Sequence, residues 1–334
     1  MTEKENYFKV MNGEQPEWLP HFAFGGRGGK TPTAMVSPRI FATQHTPGVV
    51  SKDCWGVTYV PADSVAGAKI PKPNDFILRD IRDWREVIKL PDLSQFDFEA
   101  EAKEQLAKID RNETAVIYDL NGGVFQLLMS FMGFNEGLLA MFEEPEEVTA
   151  LLEYCSNFIY EVNEKCVDLY QPDVFALVDD TATWMNPFIS LPMYREMIKP
   201  FHAQQTQFAK DRGCYVDMHD CGRCEDFIED WFDLGVRSWN PAQTCNDLVG
   251  IKKRYGNELV MEGCWTPQGE LLKPDASEQL VKDSLKRTID TFAPGGGYMY
   301  SAHFLGSIND PIAERKNRWV QEVYDDYGRD FYKK

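Results

Sequence analysis

The chain has 334 residues and a formal net charge of -18, from 35 basic and 53 acidic residues, which argues against a role resting on general attraction to nucleic acid or anionic membrane. There is no apolar run of about 18 residues or more, and the polar opening Met1-Thr-Glu-Lys-Glu-Asn-Tyr does not read as a signal peptide, so a cytoplasmic location is expected. Eight cysteines without the dense, even spacing of a stapled secreted fold read as free thiols, metal ligands or core residues.

The N-terminal part is the least regular. Pro16–Pro20 leads into a predicted strand at His21–Phe24, the Gly-rich stretch Gly25–Gly29 follows, and Ser51–Pro91 reads as an excursion with a hairpin at Trp55–Val60. Beyond it, short β-rich apolar runs alternate with longer amphipathic segments. Strands are predicted at Thr114–Asp119, Asp173–Asp179, Cys214–Met218, Val236–Asn240, Glu258–Gly263 and Gly297–Ser301. Helices are predicted over Pro145–Tyr170, Pro192–Arg212, Cys224–Leu234 and Ser277–Phe292, where apolar residues recur three and four apart. Such alternation predicts a parallel sheet, and at this length a closed barrel over an open doubly wound sheet. No Gly-x-Gly-x-x-Gly follows a strand, which counts against a dinucleotide fold. The expectation is an α/β protein, a single (β/α)8 TIM-type barrel domain over 1–334 with an irregular N-terminal elaboration over about 1–110.

Barrel chemistry belongs at the C-terminal strand ends, and the residues there form a coherent set. Asp119 and Asn121, Asp179 and Asp180, His219 with Cys221, Asn240 with Gln243, Glu262 with Cys264, and His303 beyond Ser301 all fall on that rim. The densest part is Val216-Asp-Met-His-Asp-Cys-Gly-Arg-Cys224, where imidazole and thiolate after an apolar run suit a borderline-soft metal such as zinc. Structural roles compete: Cys224 is expected to open the next helix and face its core, Asp179-Asp180 also suits an N-cap, and Gly295–Gly297 is as much a tight strand entry as an anion cradle.

The blocks Val178-Asp-Asp, His219-Asp-Cys-Gly, Asn240-Pro-Ala-Gln, Lys253-Arg-Tyr-Gly and Pro294-Gly-Gly-Gly-Tyr, in that order and spacing, resemble the uroporphyrinogen decarboxylase superfamily. The resemblance runs roughly from Asn6 to Val323. It implies the (β/α)8 barrel and two chemistries, metal-free tetrapyrrole decarboxylation and zinc-dependent methyl transfer involving a corrinoid on a partner protein. The methyltransferase branch is the more similar, because it carries His-x-Cys at the position of His219 and Cys221. There a third cysteine ligand follows the Gly-Gly-Gly block, whereas here no cysteine follows Cys264. His303 is the nearest candidate for that place, with Glu262 or Cys264 as alternatives. The decarboxylase branch uses an arginine-rich N-terminal segment, and here Arg27 stands alone beside Phe22–Gly29.

The resemblance implies zinc and cobalamin as cofactors, a corrinoid protein and a small-molecule methyl donor as partners, and is compatible with a homodimer. Cleaving a methyl–oxygen or methyl–nitrogen bond is slow because the leaving group is a strong base, and zinc or a nearby acid weakens that bond. Asp179, Asp180 and Glu262 then bind or orient substrate, Tyr298 or Tyr300 donates a proton, and Asp119, Asn121, Asn240, Gln243 and Trp265 complete the substrate-binding set. The aromatic and methionine content of the presumed rim (Phe22, Phe24, Trp184, Met185, Trp239, Trp265, Phe304) favours a methoxylated aromatic donor. The alternatives are methylcobalamin:thiol methyl transfer, a uroporphyrinogen-decarboxylase-like decarboxylase and a non-enzymatic binding protein on the same barrel.

Overall fold

Strands buried on both faces need near-continuous apolar sequence, and Ala-Val-Ile-Tyr-Asp and Val-Phe-Ala-Leu-Val, buried throughout, meet that demand. The computed structural model describes residues 1–334 apart from 23–30, 42–48, 63–67, 120–121, 308 and 334. Its strands are β1 (Thr33–Val36), β2 (Ser51–Lys52), β3 (Thr58–Pro61), β4 (Lys69–Pro71), β5 (Ala115–Asp119), β6 (Val174–Val178), β7 (Tyr215–His219), β8 (Val236–Ala242), β9 (Val260–Gly263) and β10 (Tyr298–Met299). Its α-helices are α1 (Glu3–Met11), α2 (Trp84–Val87), α3 (Phe98–Leu106), α4 (Val124–Met132), α5 (Phe134–Glu143), α6 (Pro145–Tyr170), α7 (Leu191–Met193), α8 (Lys199–Asp211), α9 (Ile228–Leu234), α10 (Leu248–Tyr255), α11 (Glu278–Phe292) and α12 (Pro311–Val323).

Among the described residues, seven strands form one parallel sheet in the order β1-β5-β6-β7-β8-β9-β10. A parallel bridge between His21 and Tyr300 continues it past β10, where the predicted first strand begins; Ala23 and Phe24 of that strand lie outside the described residues. The architecture is the α/β TIM-type barrel. Strand alternation sorts the side chains into two layers. Ala115, Ile117, Val174, Ala176, Val178, Val260, Met299 and Phe22 fill the interior. Val116, Tyr118, Phe175, Leu177, Val216, Met218, Met261, Tyr298 and Tyr300 face the surrounding helices.

The N-terminal end of the barrel is plugged by α1. Its Tyr7, Val10 and Met11 pack with the interior set, Lys4 pairs with Asp173 just before β6, and Arg237 of β8 donates to Met11 O. Thr2 and Glu5 close a capping box at its start.

The excursion is a three-stranded antiparallel sheet, β2-β3-β4, in which Trp55 occupies a turn instead of the predicted hairpin strand. Trp55 packs edge-on against Phe131 of α4 and Phe158 of α6, which fastens the excursion to the helix layer. The predicted helix Pro192–Arg212 is broken: α7 passes into a π-turn at Tyr194–Ile198 before α8. Pro200 is the physical cause, since it lacks an N–H and its ring would clash with the carbonyl four residues back. No single helix among the described residues is long and apolar enough to cross a membrane, and only α4 and α5 taken together across a 112° bend reach that length and apolarity.

Candidate metal and active site

The inward-facing strand ends supply the site. β7 turns Asp217 and His219 inward because Val216 and Met218 face out, and the chain then bends through Gly222 to present Cys221. Gly222 has φ +96°, and a Cβ there would lie 2.5 Å from Thr183 O, so the turn needs glycine for both conformation and approach. The turn is pinned from the β8 loop: Gly222 N–H donates to Gln243 Oε1 at 2.6 Å and Asn246 Nδ2 donates to Gly222 O at 2.9 Å.

Asp180, His219 and Cys221 each offer one ligand atom, all within 4.8 Å of one another. His219 Nε2 lies 3.8 Å from Cys221 Sγ and 3.9 Å from Asp180 Oδ1. Tetrahedral zinc with ligands at ~2.0–2.3 Å sets donor atoms ~3.3–3.8 Å apart, so both distances from His219 Nε2 lie just beyond that range. The imidazole is oriented from behind. Asn240 Nδ2 donates to Asp217 Oδ2 at 2.5 Å, which turns Asn240 Oδ1 toward His219 Nδ1 at 2.7 Å. Nδ1–H therefore donates and the Nε2 lone pair faces the thiol and carboxylate, the arrangement found behind metal-ligating histidines. Asp180 is also held, its Oδ1 accepting from Cys221 N at 2.8 Å and its Oδ2 from Gln126 Nε2 at 2.9 Å. Burial and the neighbouring charges of Asp180 and Asp220 push the Cys221 thiol up, so it keeps its proton.

Below this triad the interior is polar. Ser238 Oγ donates to Asp217 Oδ1 at 2.5 Å, and burial pushes Asp217 up to about 6. Glu262 is fully buried with Ser238 and Asp217 as polar neighbours, and neither of its carboxyl oxygens has a hydrogen bond within 3.5 Å among the described residues. Burial first, and the Asp217 charge second, raise it well above the usual carboxylate range, so it holds a proton. The Tyr7 hydroxyl, from the α1 plug, is also buried and unpartnered there. A buried acid that keeps its proton can donate a hydrogen bond to a ligand.

The other predicted residues are placed as follows. Asp119 sits at the inner end of β5, and Asn121 lies outside the described residues. Asp179 is fully buried and caps no turn that follows it; instead its Oδ2 and Oδ1 accept from Phe125 N at 3.0 Å and Gln126 N at 2.9 Å at the start of the upstream helix α4, whose N-cap residue is Gly123. The triad does not include Glu262, Cys264 or His303. Cys264 has φ +56° and lies buried in the outer layer, and His303 is exposed beyond β10. Tyr298, expected as a proton donor, belongs to that outer layer too, with its ring 6.1 Å from Phe292 and its hydroxyl on Gly263 O; Met299 takes the inward position. Tyr300 faces out likewise and donates to Val320 O. Trp265 binds Ser284 Oγ of α11 and meets Phe304 edge-on, Trp239 is buried in the outer layer, and Trp184 and Met185 are exposed, so among the described members of the predicted aromatic set Phe22 alone is an interior residue. Gln126, Asp217 and Asn246 were not among the predicted site residues. Asp217 had a signal, since it lies two residues before His219 on one strand and so shares its face.

A family model described as uroporphyrinogen decarboxylase (URO-D) matches residues 61–303. No curated protein matches. Among solved structures, a methyltransferase from Methanosarcina mazei aligns over 98% of this chain and 99% of its own with a TM-score of 0.66 at 12% identity, a likeness of fold.

Proposed function

Since the chain belongs to the uroporphyrinogen decarboxylase family, we propose that it is a corrinoid-dependent methyltransferase, moving a methyl group from a small methylated donor to the cob(I)alamin of a partner corrinoid protein. The observation that carries this reading is the Asp180, His219 and Cys221 triad with its Asn240–Asp217 support. One nitrogen, one sulfur and one oxygen donor fit zinc and leave a fourth position for substrate. Bound there, zinc would supply Lewis acidity that makes the donor's oxygen or nitrogen a better leaving group.

The chain's own residues do the rest. Asn240 fixes the His219 ring, and Cys221, which holds its proton here, would serve a cation as thiolate. Gln126 and the Cys221 amide hold Asp180 in place. Glu262 keeps a proton on its carboxyl, fully buried in the barrel interior beside Asp217. The lack of a cysteine beyond Cys264 separates this chain from the thiol-methylating pattern, so a methylated oxygen donor, with methoxylated aromatics first in the panel, is the preferred substrate.

The test is a methyl-transfer assay. Zinc-loaded protein is incubated with cob(I)alamin and a panel of aryl methyl ethers, methanol and methylamines, and formation of methylcobalamin is followed by absorbance. Turnover with one donor, lost in His219→Ala, is expected. Transfer from methylcobalamin to a thiol with no activity on any donor would reverse the direction. Decarboxylation without metal would replace the reading.

A further inference from the structure

Three fully buried side chains stand behind the triad in a line that the proposed chemistry does not use. Tyr194, in the π-turn, has its hydroxyl 3.1 Å from His202 Nδ1, and His202 Nε2 on α8 is 3.0 Å from Asp179 Oδ2. The Asp179 oxygens accept, so Nε2–H of His202 donates and Nδ1 accepts from the tyrosine. Tyrosine, histidine and aspartate in line have the look of a proton relay. All three are sealed from solvent, however, and the Asp179 carboxyl is already committed to the backbone N–H groups of Phe125 and Gln126. The path leads on through position alone: the Gln126 amide that Asp179 holds carries the side chain that donates to Asp180 Oδ2.

We infer that His202 is a positioning residue for the metal-site carboxylate, fixing Asp180 through Asp179 and Gln126. This rests on the metal reading of the triad. Gly123 makes the contact close enough to transmit position, since a Cβ there would lie 2.4 Å from Asp179 Oδ1 and 2.3 Å from Val178 O. The N-terminus of α4 is thus seated directly on the end of β6. With His202 gone, Asp179 loses a donor, the α4 terminus loses its fixed seat, and Gln126 no longer holds Asp180 at a set distance from His219 Nε2.

The experiment titrates full-length apo-protein with Co2+ and reads affinity and the visible d–d spectrum. His202→Leu and Gln126→Met are each expected to bind at least tenfold more weakly with an altered spectrum. His202→Gln, whose amide N–H restores the donation to Asp179, is expected to stay within threefold of wild type. The double variant should be no weaker than the weaker single, because both act through one path. Wild-type affinity and spectrum in His202→Leu, or in Gln126→Met should His202→Leu not fold, overturn the inference. Equal loss in His202→Gln and His202→Leu overturns it as well, since a merely structural role predicts that. Wild-type protein that binds no cobalt overturns the metal reading and this inference with it.

Discussion

At His219 one ring faces two ways, toward Asn240 through Nδ1 and toward Cys221 and Asp180 through Nε2, so its support should matter nearly as much as the ligand itself. Asn240→Ala is expected to weaken zinc roughly 10–100-fold, read by competition with a chromophoric chelator; unchanged affinity would remove Asn240 from the site. Glu262 makes the opposite kind of prediction. Its folded form binds a proton more tightly than the unfolded chain does, so the wild type loses stability as pH rises from the ordinary glutamate value of 4.5. Glu262→Gln should therefore gain stability over wild type as pH rises toward 8, with the gap closing toward pH 4.5. A urea midpoint that does not move with pH in this way would show that the carboxyl finds a partner. His219 and Cys221 were legible in the sequence because two residues carry the chemistry in one turn of chain. Asn240 was legible as a rim residue but not as the support of His219, because its partner Asp217 lies on a different strand. Alternation placed Tyr298 and Tyr300 together on one face, but not which face, and Cys264 was lost to a left-handed backbone that no sequence period signals.

Elements transmit that geometry through close backbone approach. Gly123 has φ -64°, open to any residue, so Gly123→Ala tests contact alone. It should destabilise by roughly 2 kcal/mol or more and weaken metal binding. Gly222→Ala adds a left-handed strain and should cost at least as much. Wild-type urea stability in either variant would mean that the β6, α4 and β7 ends are not in contact. The helix Pro145–Tyr170 was readable at both ends because proline sits at its first turn and apolar residues recur along one face. Pro192–Arg212 was not, because periodicity runs through the π-turn that Pro200 imposes, and that turn is what places Tyr194 on His202. β1, Thr-Ala-Met-Val, escaped notice because four residues are too few to show a period.

For the molecule as a whole, α1 plugs the N-terminal end of the barrel, and the triad lies at the opposite strand ends. Tyr7, Val10 and Met11 are each worth ~1.5–3 kcal/mol of burial, so deleting residues 1–12 should lower the urea midpoint by an amount no single surface change approaches. A full-length midpoint in the truncated chain would mean that α1 is not the plug. The parallel order of strands was legible because alternation of strand and helix leaves few topologies, whereas the plug was not, since nothing in α1's sequence says which cavity it enters. The measurement that bears most directly on the function is metal content by elemental mass spectrometry, on protein purified without a histidine tag or chelator, for wild type and His219→Ala. About one zinc per chain in the wild type, lost in the variant, is the predicted result. Wild-type protein that is metal-free and takes up no added zinc would contradict it.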